Sequence, residues 1–325
     1  MLKYLKTFII ILSAIGLLYG IVRLYFAVTD GFTLSNIISE WQPEERWNTR
    51  SLTPDEEESL EESLKGDYVY LGKGCQAYVF ASADGKYVIK FFKYQRFRPQ
   101  SWINFFSFIP FVERYQQSKA IEKKAKLDKV FRSWKIAFED LEPETGVVFV
   151  HLNKTPKWQK TLTIKDKIGF SYQLELGNLE FLIQKRASML CPTIDLMMTK
   201  GASDDAKQLL DKLLAMVFWE YWRGFADNDH ALMQNTGVIV NQPVHIDVGQ
   251  FIYNDIVRDP TVYKKEIYDK MFKLRFWLKK RYPVLAQHLE NRLVSILGID
   301  YFYMSPYVHK GDVAKIPHQE TIKNF

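Results

Sequence analysis

Residues 225–251 read FADNDHALMQNTGVIVNQPVHIDVGQF and place Asp227, Asp229, Asn235 and Asp247 on one short loop, strand, turn and strand. Apolar runs at 238–240 and 244–246 flank a turn expected at 241–243, and Asp247-Val248-Gly249 closes the stretch. Hard oxygen donors on a small hairpin suit a divalent cation bridged to phosphate. Asp, Asn and Gly are also the ordinary material of turns, so the reading depends on what the rest of the chain supplies.

A second group lies at 68–93, YVYLGKGCQAYVFASADGKYVIKFFK. Its alternation and its glycine breaks predict a three-stranded meander with a turn at 83–85. Gly72 and Gly74 carry no side chains, so the backbone there can come close to phosphates. Lys90 is flanked by Val88, Ile89, Phe91 and Phe92, where a lysine is costly to bury without a partner; the alternative is an edge-strand lysine facing water. Cys75, inside the glycine stretch, has no base to activate it. Cys75 and Cys191 form no metal spacing, which argues against zinc and allows one disulfide at most. His151, His245, His288, His309 and His318 show no metal spacing either; His245 reads as a packed core histidine, and His230 draws attention as the neighbour of Asp229.

The elements that must carry these groups follow from periodicity. A helix rich in lysine is expected over 111–141, strands over 146–154, 160–176 and 179–186, and an amphipathic helix capped by Ser203 that delivers the chain to Asp227. After Gly249 the pattern is mostly helical, over 261–280 and 283–296, with a tail at 301–307. The 325 residues, 47% apolar and 25% charged, have the composition of a globular protein with a full core. The net charge of +6 suits anionic headgroups or acidic ligands as well as nucleic acid; no nucleic-acid motif is present, so nucleic acid is not expected as a partner.

Residues 7–22, TFIIILSAIGLLYGIV, carry no charge, and 24–28 extend the apolar run beyond Arg23. With Arg23 snorkelling, about 20 residues are available to cross a bilayer. An uncleaved single-pass anchor is the favoured reading, with a cleaved signal peptide and a buried amino-terminal helix as alternatives. Lys3 and Lys6 favour a cytoplasmic amino terminus, while Arg23, Arg46 and Arg50 weaken that bias and leave the side of the remaining chain open. Residues 31–66 contain Trp41 and Trp47 and then turn acidic in SLTPDEEESLEESLKGD. They read as a juxtamembrane connector of solvated charge, with a short helix capped by Ser51 or Thr53 and begun by Pro54.

Taken in order, these features resemble the protein-kinase-like superfamily over residues 67–251, in an atypical branch such as the aminoglycoside-phosphotransferase-like or lipopolysaccharide-kinase-like proteins. The resemblance implies an α+β, two-lobed fold behind a single transmembrane helix: an anchor at 1–30, the connector at 31–66, a β-rich amino-terminal lobe at 67–187 and a short, mostly helical carboxy-terminal lobe at 188–325. It implies ATP and Mg2+ as cofactors. Gly72, Gly74 and Val79 would form the glycine-rich loop, Lys90 would pair with phosphates, and Glu122, or alternatively Glu113, would hold that lysine. Gln184 would end the strand entering the hinge that meets adenine, with an extra strand pair or insertion between helix and hinge. Asp229, with Asp227 competing, would orient a hydroxyl acceptor on a protein, sugar or lipid, and Asn235 with Asp247 would bind metal. The chain departs from the pattern in three places: Ala77 replaces the third glycine, Asn235 lies one residue late so that Gln234 holds the expected position, and no His-Arg-Asp triplet occurs. The expected function is a membrane-anchored phosphotransferase. The alternatives are a pseudokinase serving as a tethered nucleotide-binding or interaction module, and an unrelated envelope protein.

Overall fold

The computed structural model describes residues 2–98 and 110–299; the tail expected at 301–307, His309 and His318 lie outside the described residues. The protein is α+β, with a curled seven-stranded sheet and a set of helices, and it divides into two compact units: 1–126 with 148–184, and 127–147 with 185–325.

The first unit opens with α1 (Leu2–Thr29), followed by α2 (Leu34–Ile37) and α3 (Pro54–Ser63). A strand meander comes next, β1 (Tyr68–Lys73), β2 (Ala77–Ser82) and β3 (Tyr87–Phe92). The long helix α4 (Pro110–Glu139) begins here and passes at Leu127 into the second unit, which also holds α5 (Glu142–Thr145). The chain then adds β4 (Val147–His151), β5 (Thr161–Lys165), β6 (Ser171–Glu175) and β7 (Phe181–Lys185), in the sheet order β4-β7-β3-β2-β1-β5-β6. The segment expected as one strand over 160–176 is thus a hairpin, β5–β6, joined to β1 by parallel pairing. Alternation sends Tyr78, Phe80, Ile89 and Phe91 to one side of the sheet, where they form a core with Phe181 and Ile183. At the start of α3, Thr53 Oγ1 accepts from Glu56 N while Glu56 Oε2 accepts from the Thr53 N–H, a reciprocal capping box behind Pro54. Residues 31–66 are more than a solvated connector: Phe32, Ile37 and Leu60 belong to the sheet's core, and Trp47 is buried.

The second unit contains β8 (Ser188–Met189), α6 (Leu190–Thr199), α7 (Ser203–Arg223), β9 (Phe225–Asp227), α8 (Leu232–Asn235), β10 (Thr236–Ile239), β11 (Gln242–His245), β12 (Phe251–Tyr253), α9 (Pro260–Arg281) and α10 (Pro283–Leu297). The stripe Leu209, Leu210, Leu213, Val217 and Tyr221 buries α7 against α9 and α10. Ser203 is the first helical residue rather than the cap, which is Ala202 with no side-chain bond. Gly224 ends the helix at φ 90° and donates its N–H to Glu220 and Tyr221 carbonyls, turning the chain into β9. The β10–β11 turn, expected at 241–243, starts one residue earlier and ends two residues earlier. Ile239 pairs with Gln242, so the loop is Val240-Asn241, with φ 44° and 59°. A two-residue loop with both φ positive matches the twist of its strands better than a longer turn, and it leaves Val240 93% exposed.

Candidate functional site

In the first unit the glycine stretch is the β1–β2 turn. Gly72 stands opposite Val79 and Lys73 opposite Tyr78, and Gly74 donates its N–H to Ala77 O at 2.9 Å. Two cations grip the tip: Lys93 Nζ donates to Gly74 O and Arg96 Nη1 to Cys75 O, each at 2.6 Å. Burial, reinforced by Lys73 and Arg96, pulls the Lys93 ammonium down to about 8. Gly72 and Gly74 do not have positive φ. A Cβ at Gly72 would meet nothing within 4 Å, and one at Gly74 only Ala77 O at 4.0 Å. Neither backbone strain nor internal packing therefore requires glycine here, and their bare Cα atoms leave room over the loop.

Lys90 is paired in register with Val79 and is half-buried; Gln184 is buried on β7. Glu122 is an exposed residue of α4 whose carboxylate receives Lys119 Nζ at 2.7 Å and Lys126 Nζ at 2.6 Å, and Glu113 accepts from Gln117 at 3.4 Å. The role that the structure gives Glu122 is thus an intrahelical one, with lysines on both sides.

In the second unit β9 and β12 pair, Asp227 opposite Phe251, and Asn228 N donates to Gln250 O at 3.2 Å. This lays the Asp227–Asp229 loop beside the Asp247–Gly249 turn. Each loop is closed by its own carboxylates: Asp229 N–H donates to Asp227 Oδ1 (2.9 Å), Ala231 N–H to Asp229 Oδ1 (2.9 Å) and Gly249 N–H to Asp247 Oδ1 (3.2 Å). Asn235 joins the same place through its backbone, accepting from Ile246 N at 2.7 Å one residue before Asp247. Gln234 is exposed, whereas Asn235 Nδ2 is enclosed with no hydrogen-bond partner. Of the two aspartates, Asp227 is buried and Asp229 half-buried; Asp247 is exposed.

A buried polar frame lies beneath these loops. Lys270 Nζ, on α9, donates to Asp227 O at 2.6 Å and Asp229 O at 3.3 Å. His245 donates Nε2–H to Glu220 Oε1 at 2.7 Å, and its Nδ1 stands 3.9 Å from Asp227 Oδ2. Ser133 on α4 donates its hydroxyl to Val248 O and accepts the Phe251 N–H, both at 2.6 Å, which fixes the Asp247 turn from the other side. Burial pushes the Asp227 carboxyl up against the opposing pull of Lys270 and His245. Burial would lower His245, but the Glu220 and Asp227 charges outweigh it and hold the imidazole above its ordinary value. His230, the histidine beside Asp229, is lowered by burial and by Lys270, and its Nε2 lies 3.9 Å from Glu266. Cys75 and Cys191 are free thiols, the latter pushed up to about 11 by burial.

Lys270, Glu220 and Ser133 were not among the expected site residues. Lys270 left a signal in the sequence, since it interrupts the apolar stripe Ile267, Met271, Leu274 of an amphipathic helix, a place where a lysine needs a reason. Glu220 interrupts α7 in the same way between Val217 and Tyr221.

No cluster of three or more His, Cys, Asp or Glu suited to a metal occurs among the described residues. Asp247 offers an exposed carboxylate, the kind of hard oxygen that magnesium takes, and Asn235 reaches the same hairpin through its backbone carbonyl.

No family model matches the chain, and no curated protein is significantly similar to it. Among solved structures, the chain is similar to the complex of Rv3197 with erythromycin from Mycobacterium tuberculosis, at 12% identity and a TM-score of 0.32, over 74% of this chain. The match spans 65% of that protein's chain, just under two thirds. A superposition this loose does not define a shared fold.

Proposed function

We propose that the protein is a membrane-anchored, kinase-like phosphotransferase that moves the γ-phosphate of ATP to a hydroxyl acceptor, built on a two-lobed fold. The observation that carries the reading is the pair of acidic loops held side by side by the β9–β12 ladder, one presenting Asp229 and the other Asp247. Asp227 is buried beneath them and spends one oxygen on the Asp229 N–H and the other toward His245. This assigns Asp227 to holding the loop and Asp229 to orienting the acceptor hydroxyl and taking its proton. Asp247 and Asn235 hold magnesium, which when bound would neutralise phosphate charge. Gly72, Gly74 and Val79 cover the phosphates, Lys90 pairs with them, and Gln184 stands at the adenine end.

The anchor reading is supported by how α1 ends. Its apolar stretch Tyr4–Thr29 is long enough to cross a membrane, and residues 4–28 are all exposed. Tyr25 OH nevertheless donates to Phe32 O, and Asp30 pairs with Lys73 and Lys167. A chain cleaved between Tyr25 and Asp30 would lose the Tyr25 bond, and one cleaved after Asp30 would lose the ion pairs as well.

The test is transfer and nucleotide binding by the full chain in detergent or nanodiscs. Asp247→Asn should weaken Mg-dependent ATP binding, and Asp229→Ala should preserve binding while slowing transfer by roughly 10²–10⁴-fold. ATP binding without transfer to any protein, sugar or lipid acceptor would identify the pseudokinase instead. Equal Mg-ATP binding by the parent and Asp247→Asn would remove the metal assignment.

A further inference from the structure

The β5–β6 hairpin ends in a tip that is built rigidly and yet presents apolar side chains to the outside. Asp166, itself 6% exposed, accepts the Ile168 N–H (3.1 Å) and the Phe170 N–H (2.9 Å) on Oδ1 and the Tyr172 hydroxyl (3.1 Å) on Oδ2. The backbone adds Asp166 N to Phe170 O and Gly169 N to Asp166 O, with Gly169 at φ 93°. A tip so fully bonded has no need of outward hydrophobics, but Ile168 is 47% and Phe170 63% exposed. Its one basic residue, Lys167, reaches the last turn of α1: Nζ stands 3.1 Å from Asp30 Oδ2 and 3.5 Å from Ala27 O.

The tip therefore lies at the end of the apolar helix, beside the exposed aromatic rings of Tyr25 and Phe26. The apolar stretch has 26 residues and is about 39 Å long at 1.5 Å per residue, against about 30 Å of hydrocarbon. The surplus of about 9 Å brings the last turns of α1 to headgroup level. At that depth aromatic rings and snorkelling lysines are favoured.

We infer that the 166–170 hairpin tip is a second membrane contact, inserting Ile168 and Phe170 at the headgroup–acyl boundary of the same bilayer that α1 crosses, with Lys167 at the phosphate level. This rests on the reading of α1 as a spanning helix. Two points of contact would fix the rotation and depth of the first unit against the membrane, which a single helix leaves free.

The experiment uses the full chain with Cys75→Ser and Cys191→Ala, in nanodiscs of phosphatidylcholine and phosphatidylglycerol. Nitroxide labels are placed by Ile168→Cys, by Leu18→Cys within α1, and by Lys157→Cys at an exposed position of the same unit. Power saturation compares collisions with oxygen, which concentrates in lipid, and with a water-soluble nickel complex. The label at 168 is expected to show an oxygen-to-nickel ratio several-fold above that at 157, and adding Phe170→Asp should return it to the 157 value while the label at 18 stays in lipid. A water-like ratio at 168 with a lipid-like ratio at 18 overturns the proposal and leaves the anchor standing. Water-like ratios at both overturn the anchor and the proposal together. Dipolar broadening at 168 would show that a second copy of the chain covers the tip, and would also overturn it.

Discussion

Replacing Lys270 with methionine keeps the length and volume of the side chain and removes only its charge and its donors. Two carbonyls then lose their partner: Asp227 O, bonded at 2.6 Å, and Asp229 O, at 3.3 Å. Each buried acceptor left without a donor costs about 1–3 kcal/mol. The same change removes the nearby positive charge that favours the ionised forms of Asp227 and Glu266, both already pushed up by burial. Breaking a buried charge arrangement by removing one partner costs about 3–5 kcal/mol. Because these contributions overlap, a local loss of about 3–5 kcal/mol is expected, a large share of the 5–15 kcal/mol that holds a domain folded. The readout is native-state hydrogen exchange at Asp229 and Ala231, whose amides are bonded to Asp227 and Asp229 carboxylates. At about 1.4 kcal/mol per decade, their protection should fall by roughly two to three and a half orders of magnitude. The amide of Ala83 in the first unit, bonded to Asp67 O, should keep its protection. A fall of less than tenfold at 229 and 231 would refute the idea that Lys270 pins the loop.

Val240 occupies a left-handed position at φ 44°, which a β-branched residue adopts only at a cost. Val240→Gly should therefore stabilise the second unit by about 1 kcal/mol, read as a raised unfolding midpoint; a lowered midpoint would show that the valine contributes something the turn needs. His245 is held above its ordinary value by Glu220 and Asp227. Its pairing thus contributes fully below the unfolded value of about 6.5, and that contribution is lost as pH rises through the folded value. The parent should lose stability relative to His245→Gln on going from pH 6 to pH 9, and parallel pH profiles would sink this assignment.

The sequence was informative where the physical signal is local. The alternation in β2 and β3, the glycines at 72, 74 and 85, the Thr53-Pro54-Glu56 start of α3 and the bare apolar run of α1 each follow from a few neighbouring residues. Asp229 and Asp247 were legible as candidates for the same reason. Pairing partners were not, because Glu122 looks alike in sequence whether it faces a strand lysine or two lysines of its own helix. The turn at Val240-Asn241 was misplaced because Pro243 is the stronger local turn signal, while strand register, a long-range property, put it into β11. The buried frame of Glu220, His245 and Lys270 depends on three elements far apart in sequence, so only its interruption of apolar stripes was visible.

Asp30 shows how one residue can join two features that the sequence presents separately. It follows the last turn of α1 and sits at φ 56°. Its carboxylate takes Lys73 at 3.0 Å, Lys167 at 3.1 Å and the Tyr70 hydroxyl at 3.0 Å, and Lys73 also donates to its carbonyl at 3.2 Å. Lys73 is the residue between Gly72 and Gly74, so the helix end and the glycine loop share an ion pair. Desolvation opposes ionisation, but the bonds from Lys73, Lys167 and Tyr70 prevail and bring the carboxyl down to about 2. A lowered carboxyl stabilises above its unfolded value near 3.8, and the contribution fades as pH falls from there toward 2. Asp30→Asn isolates the charge, since asparagine also tolerates the left-handed backbone and keeps the side-chain shape. The expected cost is about 1–2 kcal/mol, the worth of partly exposed charge-assisted bonds. The informative readout is the Gly74 amide, bonded to Ala77 O inside the loop. If Asp30 steadies the loop through Lys73, that amide should exchange roughly tenfold faster in Asp30→Asn; unchanged exchange would mean that Lys93 and Arg96 hold the loop by themselves, and that the end of α1 has no influence on it.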